Sequence, residues 1–345
     1  MSSPLLCQVL DAKSFEDIFT SLVDAKRRYR ELAMAVHPDH GGSADALAKL
    51  TQLHQEMLAQ AALTGWMERG KLTFRCTDGK TRSVRYRHSH AAGPGRAYQG
   101  AAILTFVLPN EHADLVEQAC KIIGTQRFPT SAMQEKLTKA GAPTMLGAFH
   151  ASDAPVVALV LRAAPDLVRL DHLLAHQGGR LPAPQVAWMI TRMLNLCCWL
   201  QWQRRVHHAI SLDSLYVAPA AHDLHLLGGW WHCVDEGSQM PLRLPAGAVA
   251  ELPRLVRETK VATCQTDLRL ARRVARELLG DATGTSFAAR KDIPRPLATW
   301  LLGPPAADAF KDFADWEKVR ENSFGERKFV KLDVTADDIY PTNRR

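Results

Sequence analysis

Two stretches of the chain gather side chains that could do chemistry. In "YRELAMAVHPDHGG", His37, Pro38 and Asp39 follow a run holding Lys26, Arg27 and Arg30. Pro38 stiffens the turn, Asp39 offers a carboxylate for a cation on a partner, and the three cations can form one basic helix face. In "VHHAISLDSL", His207 and His208 stand side by side and Asp213 is the nearby carboxylate. Further histidines stand at 150, 172, 176, 222 and 225. The His172/His176 spacing would put that pair on one helix face, but no further ligands can be placed around it, so no metal site is expected.

The elements that must position these groups follow from periodicity. Phe15, Ile18, Phe19 and Leu22 fall at helical spacing, as do Ala25, Tyr29, Leu32 and Val36, and predict two amphipathic segments, the second stopped by Pro38. Asp39 to Gly42 make a turn. Ser43 then caps a third helix with Leu47, Leu50, Leu53 and Met57 on one stripe. A helical hairpin with His-Pro-Asp at its tip is the expected result.

This frame resembles the J-domain of DnaJ-type co-chaperones, in which a basic helix with Tyr-Arg-x-Leu-Ala precedes a His-Pro-Asp loop and a second long helix. The match covers Tyr29, Arg30, Leu32, Ala33 and His37 to Asp39, while Leu53 and His54 stand where the family commonly has Ala-Tyr. The resemblance implies docking to a DnaK-type heat-shock chaperone and stimulation of its ATP hydrolysis. His37, Pro38 and Asp39 would be the essential loop, with Lys26, Arg27 and Arg30 beside it. No Gly/Phe-rich linker or repeated C-x-x-C-x-G-x-G module follows, so the chain is not a full-length DnaJ.

Downstream, "LTFRCTDG", "TRSVRYRHSH" and "RAYQGAAILTFVLP" are predicted as strands, and "PAPQVAWMITRMLNLCCWLQWQRR" as a buried helix leading into the His207 loop. Strands "LYVA" and "LHLL" follow. The succession is similar to a protein kinase. Gly93, Gly95, Tyr98 and Gly100 match its glycine-rich loop, although Gly-Pro-Gly is also a plain hairpin turn.

By that resemblance His207 stands at the His of His-Arg-Asp, His208 at the Arg, and Ala209 at the catalytic aspartate. Ser214 stands at the metal-binding asparagine, and Gly228, Gly229 and Trp230 at Asp-Phe-Gly. Thr105 falls near the strand lysine and Gln118 near its glutamate partner, with Glu117 a displaced alternative. Asp267 resembles the buried aspartate that supports the catalytic-loop backbone; it also reads as an acid favoured by the dipole at a helix N-terminus. Phosphoryl transfer needs metal ions, a cationic phosphate contact and a group orienting the nucleophile. Candidates for all are missing, and a pseudokinase is expected.

The fold class expected is a multidomain α+β chain. It comprises a J-domain at 1–62, a linker at 63–70, a kinase-like small lobe at 71–165, and a large lobe with a C-terminal extension at 166–345. The function expected is a co-chaperone whose pseudokinase serves as adaptor for a protein client, similar to bacterial or bacteriophage fusions. An atypical kinase or nucleotide-dependent transferase using Asp213 or Asp223 is one alternative; a nucleic-acid-associated scaffold is the other.

The totals agree with a soluble cytoplasmic class. Hydrophobic residues are 46% and charged residues 23% of 345, the formal charge is +7, and no long apolar run marks a signal or a membrane span. The seven cysteines lack C-x-x-C or zinc spacing and read as reduced thiols. The cations Lys311, Lys318, Arg320, Arg327, Lys328 and Lys331 are interleaved with acids, which favours a solvated surface over a nucleic-acid patch. No cofactor is expected.

Overall fold

The computed structural model describes residues 4–19, 22–64 and 70–340. It is mixed α/β and divides into two compact units, one of residues 1–113 and 147–160, the other of 114–146 and 161–345. Compactness thus joins the N-terminal helices to the first sheets. The sequence boundaries separated them at 62–70, of which residues 65–69 lie outside the described set.

In the first unit α1 (Pro4–Asp11), α2 (Leu22–Val36) and α3 (Ala44–Thr64) enclose an apolar core of Phe15, Phe19, Leu32, Val36, Leu50 and Met57. The α2–α3 hairpin has the predicted form, and Ser43 Oγ accepts the Ala46 N–H at 3.4 Å as a cap. The segment from Phe15 does not. It is a single 3₁₀ turn over Phe15–Asp17, because Asp17 folds its carboxylate back onto the Lys13 and Ser14 N–H groups at 3.0 and 3.1 Å. Phe15, Ile18 and Phe19 are buried all the same, so the periodicity reported the face and not the helix. Helix α1 has no counterpart in the sequence reading.

Strands β1 (Lys71–Arg75) and β2 (Thr81–Arg85) form a separate antiparallel hairpin. A five-stranded sheet follows, with β3 (His88–Ala92), β4 (Gly95–Gln99), β5 (Ile103–Pro109), β6 (Met145–His150) and β7 (Val156–Arg162) in the order β3-β4-β5-β7-β6. Two predicted strands are therefore each two. "TRSVRYRHSH" breaks at Tyr86–Arg87 and "RAYQGAAILTFVLP" at Gly100–Ala102, where the Gly100 N–H bonds the Ile103 carbonyl and a Cβ would lie 2.6 Å from the Arg85 carbonyl oxygen.

Arg96 fastens the helices to this sheet. Its side chain, 10% exposed, lies 3.9 Å from Glu16 and 3.5 Å from Glu56, stacks over the Phe15 ring at 4.7 Å and donates to Ser89 Oγ at 2.9 Å. Ser89 Oγ in turn donates to Glu16 Oε1 at 2.8 Å. A guanidinium so enclosed holds its fork between two carboxylates, and removing it leaves their charge uncompensated.

The second unit begins with α4 (Ala113–Gly124) and α5 (Ser131–Ala140). After β8 (Val168–Arg169) and α6 (Leu170–His176) comes α7 (Ala183–Trp202), the predicted apolar helix. Short strands β9 (Arg205–Val206), β10 (Leu215–Ala218), β11 (Asp223–Leu226) and β12 (Val234–Asp235) pair as β11-β10-β8 and β12-β9. Helices α8 (Ala246–Glu251), α9 (Arg254–Thr259), α10 (Cys264–Leu278), α11 (Arg295–Leu302), α12 (Ala309–Phe324) and α13 (Ala336–Ile339) complete it.

Both α10 and α12 pack on α7. They are locked by the buried Arg272–Asp312 pair at 2.5 Å, and α12 is tied to α7 by Trp316 Nε1 donating to Thr191 Oγ1 at 2.9 Å. All seven cysteines are free, and no helix among the described residues is long and apolar enough to cross a membrane.

Arg96→Ala should lower stability by about 3 kcal/mol, the cost of leaving the largely enclosed Glu16 and the part-exposed Glu56 without their shared cation. Equilibrium urea unfolding reads this directly, and an unchanged midpoint would show that the helices do not depend on the tie.

Candidate functional site

The hairpin tip is built by backbone bonds that its sequence makes obligatory. The N–H groups of His40 and Gly42 bond the His37 carbonyl, and the Ser43 N–H bonds the Val36 carbonyl at 3.0 Å. Gly41 has φ +82°, and a Cβ on Gly42 would sit 2.0 Å from the Val36 carbonyl oxygen, so neither position accepts a side chain without rebuilding the turn. His37 Nδ1 accepts the Asp39 N–H at 3.2 Å and lies 3.6 Å from Asp39 Oδ2, whose carboxylate is 83% exposed. An open groove of about 540 Å³ beside it is lined by His37, Pro38, Asp39 and the α3 residues Leu47, Ala48 and Thr51.

Lys26, Arg27 and Arg30 are exposed on α2, and Arg27 and Arg28 approach Glu31 at 3.9 and 3.5 Å. The hairpin is pinned by Tyr29, whose hydroxyl lies 3.2 Å from Thr51 Oγ1 and whose ring stacks on His54 at 4.4 Å. His54 thus fills the place opposite Tyr29, and Leu53 enters the core.

In the second unit eight of the residues singled out from the sequence meet: His207, His208, Ala209, Ser214, Gly228, Gly229, Trp230 and Asp267. Asp267, 2% exposed on the first turn of α10, accepts the backbone N–H groups of His207 and His208 at 2.7 and 2.9 Å. One carboxylate bridging successive amides braces the loop where His208 sits at φ +62°, in the left-handed region that few non-glycine residues occupy. His208 Nδ1–H donates to the Val206 carbonyl at 3.1 Å, and Ala209 N–H donates to His207 Nδ1 at 3.3 Å. Ser214 Oγ accepts the Ser211 N–H at 2.9 Å and is spent on the loop itself.

Beside this loop the space is closed. A Cβ on Gly228 would lie 2.9 Å from Ser214 Cα, and one on Gly229, at φ +77°, would lie 2.8 Å from Ala209 Cβ. A carboxylate side chain at either glycine has no room. Trp230 fills the neighbouring volume, packed edge-on to His207 at 4.8 Å with its Nε1 donating to the Leu226 carbonyl at 2.9 Å. Asp213 is exposed and accepts from Ser211 Oγ at 2.5 Å, while Asp223 pairs with Arg192 at 3.3 Å. Gln118 on α4 donates its Nε2 to the Cys233 carbonyl at 2.9 Å, and Glu117 is exposed. His232 completes the cluster and went unremarked in the sequence; its signal is the aromatic run "WWH" directly after the paired glycines.

The remaining positions lie in the first unit. Thr105 is fully buried on β5, opposite Tyr98 of β4. Gly93 and Pro94 form the two-residue turn between β3 and β4, with Gly93 at φ +57° as a first central residue requires, and a Cβ on Gly95 would meet the Val107 carbonyl oxygen at 2.2 Å. Hairpin geometry alone therefore accounts for both glycines. Of the histidines read as possible ligands, His222 stacks on Trp188 at 4.0 Å and its Nε2 bonds the Val330 carbonyl, while His172 Nδ1 lies 2.8 Å from the Tyr340 hydroxyl.

No protein-family model matches the chain, and no curated protein matches it in sequence.

Burial dominates the electrostatics of the loop. It lowers His207 to about 3, and His208 and His232 to about 4; it pushes Asp267 up to about 7 although the two N–H bonds work against it. In the unfolded chain the imidazoles regain a value near 6.5 and bind protons first on acidification. Stability should therefore fall as pH drops from about 6.5 toward 4. Asp267 opposes this, since its folded form binds a proton where the unfolded carboxyl does not, but one carboxyl stands against three imidazoles. Urea midpoints at pH 7.5 and 4.5 check the sign, and a higher midpoint at pH 4.5 would refute it. Asp267→Ala, which strips two buried amides of their acceptor, should cost about 2–5 kcal/mol at pH 7.5 in the same assay.

Proposed function

We propose that the chain is a J-domain co-chaperone. Its N-terminal hairpin docks on a DnaK-type heat-shock chaperone and stimulates its ATP hydrolysis, and a catalytically degenerate kinase-like region acts as adaptor for a protein client. The observation that carries this reading is the hairpin tip, where a glycine-locked turn commits His37 to the Asp39 amide and leaves the Asp39 carboxylate open between two helices. That carboxylate would meet a cation on the chaperone, and Lys26, Arg27 and Arg30 on α2 would meet an acidic groove. Hydrolysis takes place on the partner, and the fused region raises the chaperone's concentration at whatever it binds.

The kinase-like part of the reading is supported by the Asp267 bridge to the His207 and His208 amides. Its degenerate character is supported by Ala209, Ser214 and Gly228 at the positions of the base and metal ligands, with Gly228 pressed against Ser214 so that an acid cannot be accommodated.

His37→Gln should reduce stimulation of a DnaK-type ATPase by more than about tenfold, since it replaces the rigid imidazole Nδ1 that orders Asp39 with an amide on a longer, flexible side chain. The side chain is 43% exposed, so the urea midpoint should stay at the wild-type value. A single-turnover ATPase assay decides. Wild-type protein that stimulates no such ATPase, or a variant as active as wild type, refutes the reading.

A further inference from the structure

Cavities line one stripe of helix α7 along most of its length, and the 325–331 segment crosses that stripe toward its N-terminal end. Two cavities of about 400 and 840 Å³ run along it and share Lys136, Arg192 and Asn195, so they form one groove from Pro184 to Trp202. At 1.5 Å per residue that is roughly 27 Å, five turns of helix. One wall is α5, which presents Met133, Lys136 and Leu137 at helical spacing; the other is α12, with Phe310, Phe313 and Phe324. Trp316, bonded to Thr191, holds that wall against the floor.

The groove is apolar and open. Met133 and Trp202 are each 42% exposed and Phe310 is 53% exposed, all around one cavity, a concentration of free apolar surface that marks binding sites. At its far end the 325–331 segment crosses the helix, with Phe329 packed on His222 at 4.7 Å.

Its charge selects the occupant. Six cations line the two cavities and Glu326 is the sole carboxylate among the described residues that line them. Arg192, Arg320, Arg327 and Lys331 are answered by Asp223, Glu317 and Asp333. Lys136 and Lys328 have no ion pair among the described residues and stand one on the α5 wall and one on the crossing segment.

We propose that this groove binds an acidic amphipathic helix of a protein client, apolar face down along α7 and carboxylates toward Lys136 and Lys328. The proposal deepens the adaptor reading and rests on that reading for its use. The groove's length suits a helix rather than a single anchor residue, and its cations stand over an apolar floor.

The test uses the full chain and fluorescence anisotropy. The probes are three labelled peptides of about 18 residues with Leu and Phe at three- and four-residue spacing and Glu elsewhere, their Lys-for-Glu counterparts, and a labelled single-stranded oligonucleotide. Acidic peptides should bind, and bind more weakly as salt rises. Lys136→Glu combined with Lys328→Glu, and separately Phe310→Asp, should weaken binding at least tenfold. Phe310 and the lysines are at the surface, so the urea midpoint should not move. His37→Gln should bind as wild type, which separates failure of the groove from failure of the co-chaperone reading. Failure of all three acidic peptides, equal binding of the basic ones, unchanged affinity in the variants, or an oligonucleotide that binds more tightly and displaces the peptides overturns the proposal.

Discussion

One buried carboxylate sets the conformation of the central loop. Asp267 receives two consecutive amides, and that pair of bonds braces the loop where a non-glycine residue rests in the left-handed region in the middle of the larger unit. From there the backbone turns so that Ala209 abuts Gly229, Ser214 closes on Ser211, and β10 leaves in register with β11. The carboxylate is costly to bury, as the upward push on its pKa records, and the two amides offset that cost.

Around that frame the neighbouring volume is filled by aromatic packing. Trp230 is nearly inaccessible and joins Trp199 and His207 in one aromatic cluster, where a metal-dependent phosphate site would need carboxylates and water. Exposed charge with open access stands instead at the hairpin tip and along the α7 groove. Both are helical surfaces, where contact and charge decide affinity.

What the sequence revealed followed from how local each cause is. The His-Pro-Asp turn was legible because Pro38, Gly41, Gly42 and Ser43 determine it within a few residues, and α7 because twenty largely apolar residues end at a polar run. The Phe15 segment was misread because Asp17 captures the amides that a helix would have used, and apolar spacing is silent about that competition. Strand breaks at Gly100 needed knowledge of the Arg85 carbonyl next to it. Glycines 93 and 95 matched a phosphate-loop pattern, yet both are explained by a turn and a cross-strand approach that only pairing discloses. The groove was hidden because its walls, α5 and α12, come from segments far from α7 in the chain.

The Arg96 cluster also bears on timing. The apolar core of the three N-terminal helices is complete once Met57 has been made, but Glu16 and Glu56 then face each other without the guanidinium that reconciles them. That cation arrives only with β4, after the first β-hairpin has left the ribosome. Until that cation is in place, Glu16 and Glu56 lack the counter-charge that both share. A chain truncated before Arg96 would keep the locally determined tip, which its own backbone bonds close, but would carry it on helices whose two acids have lost their common partner.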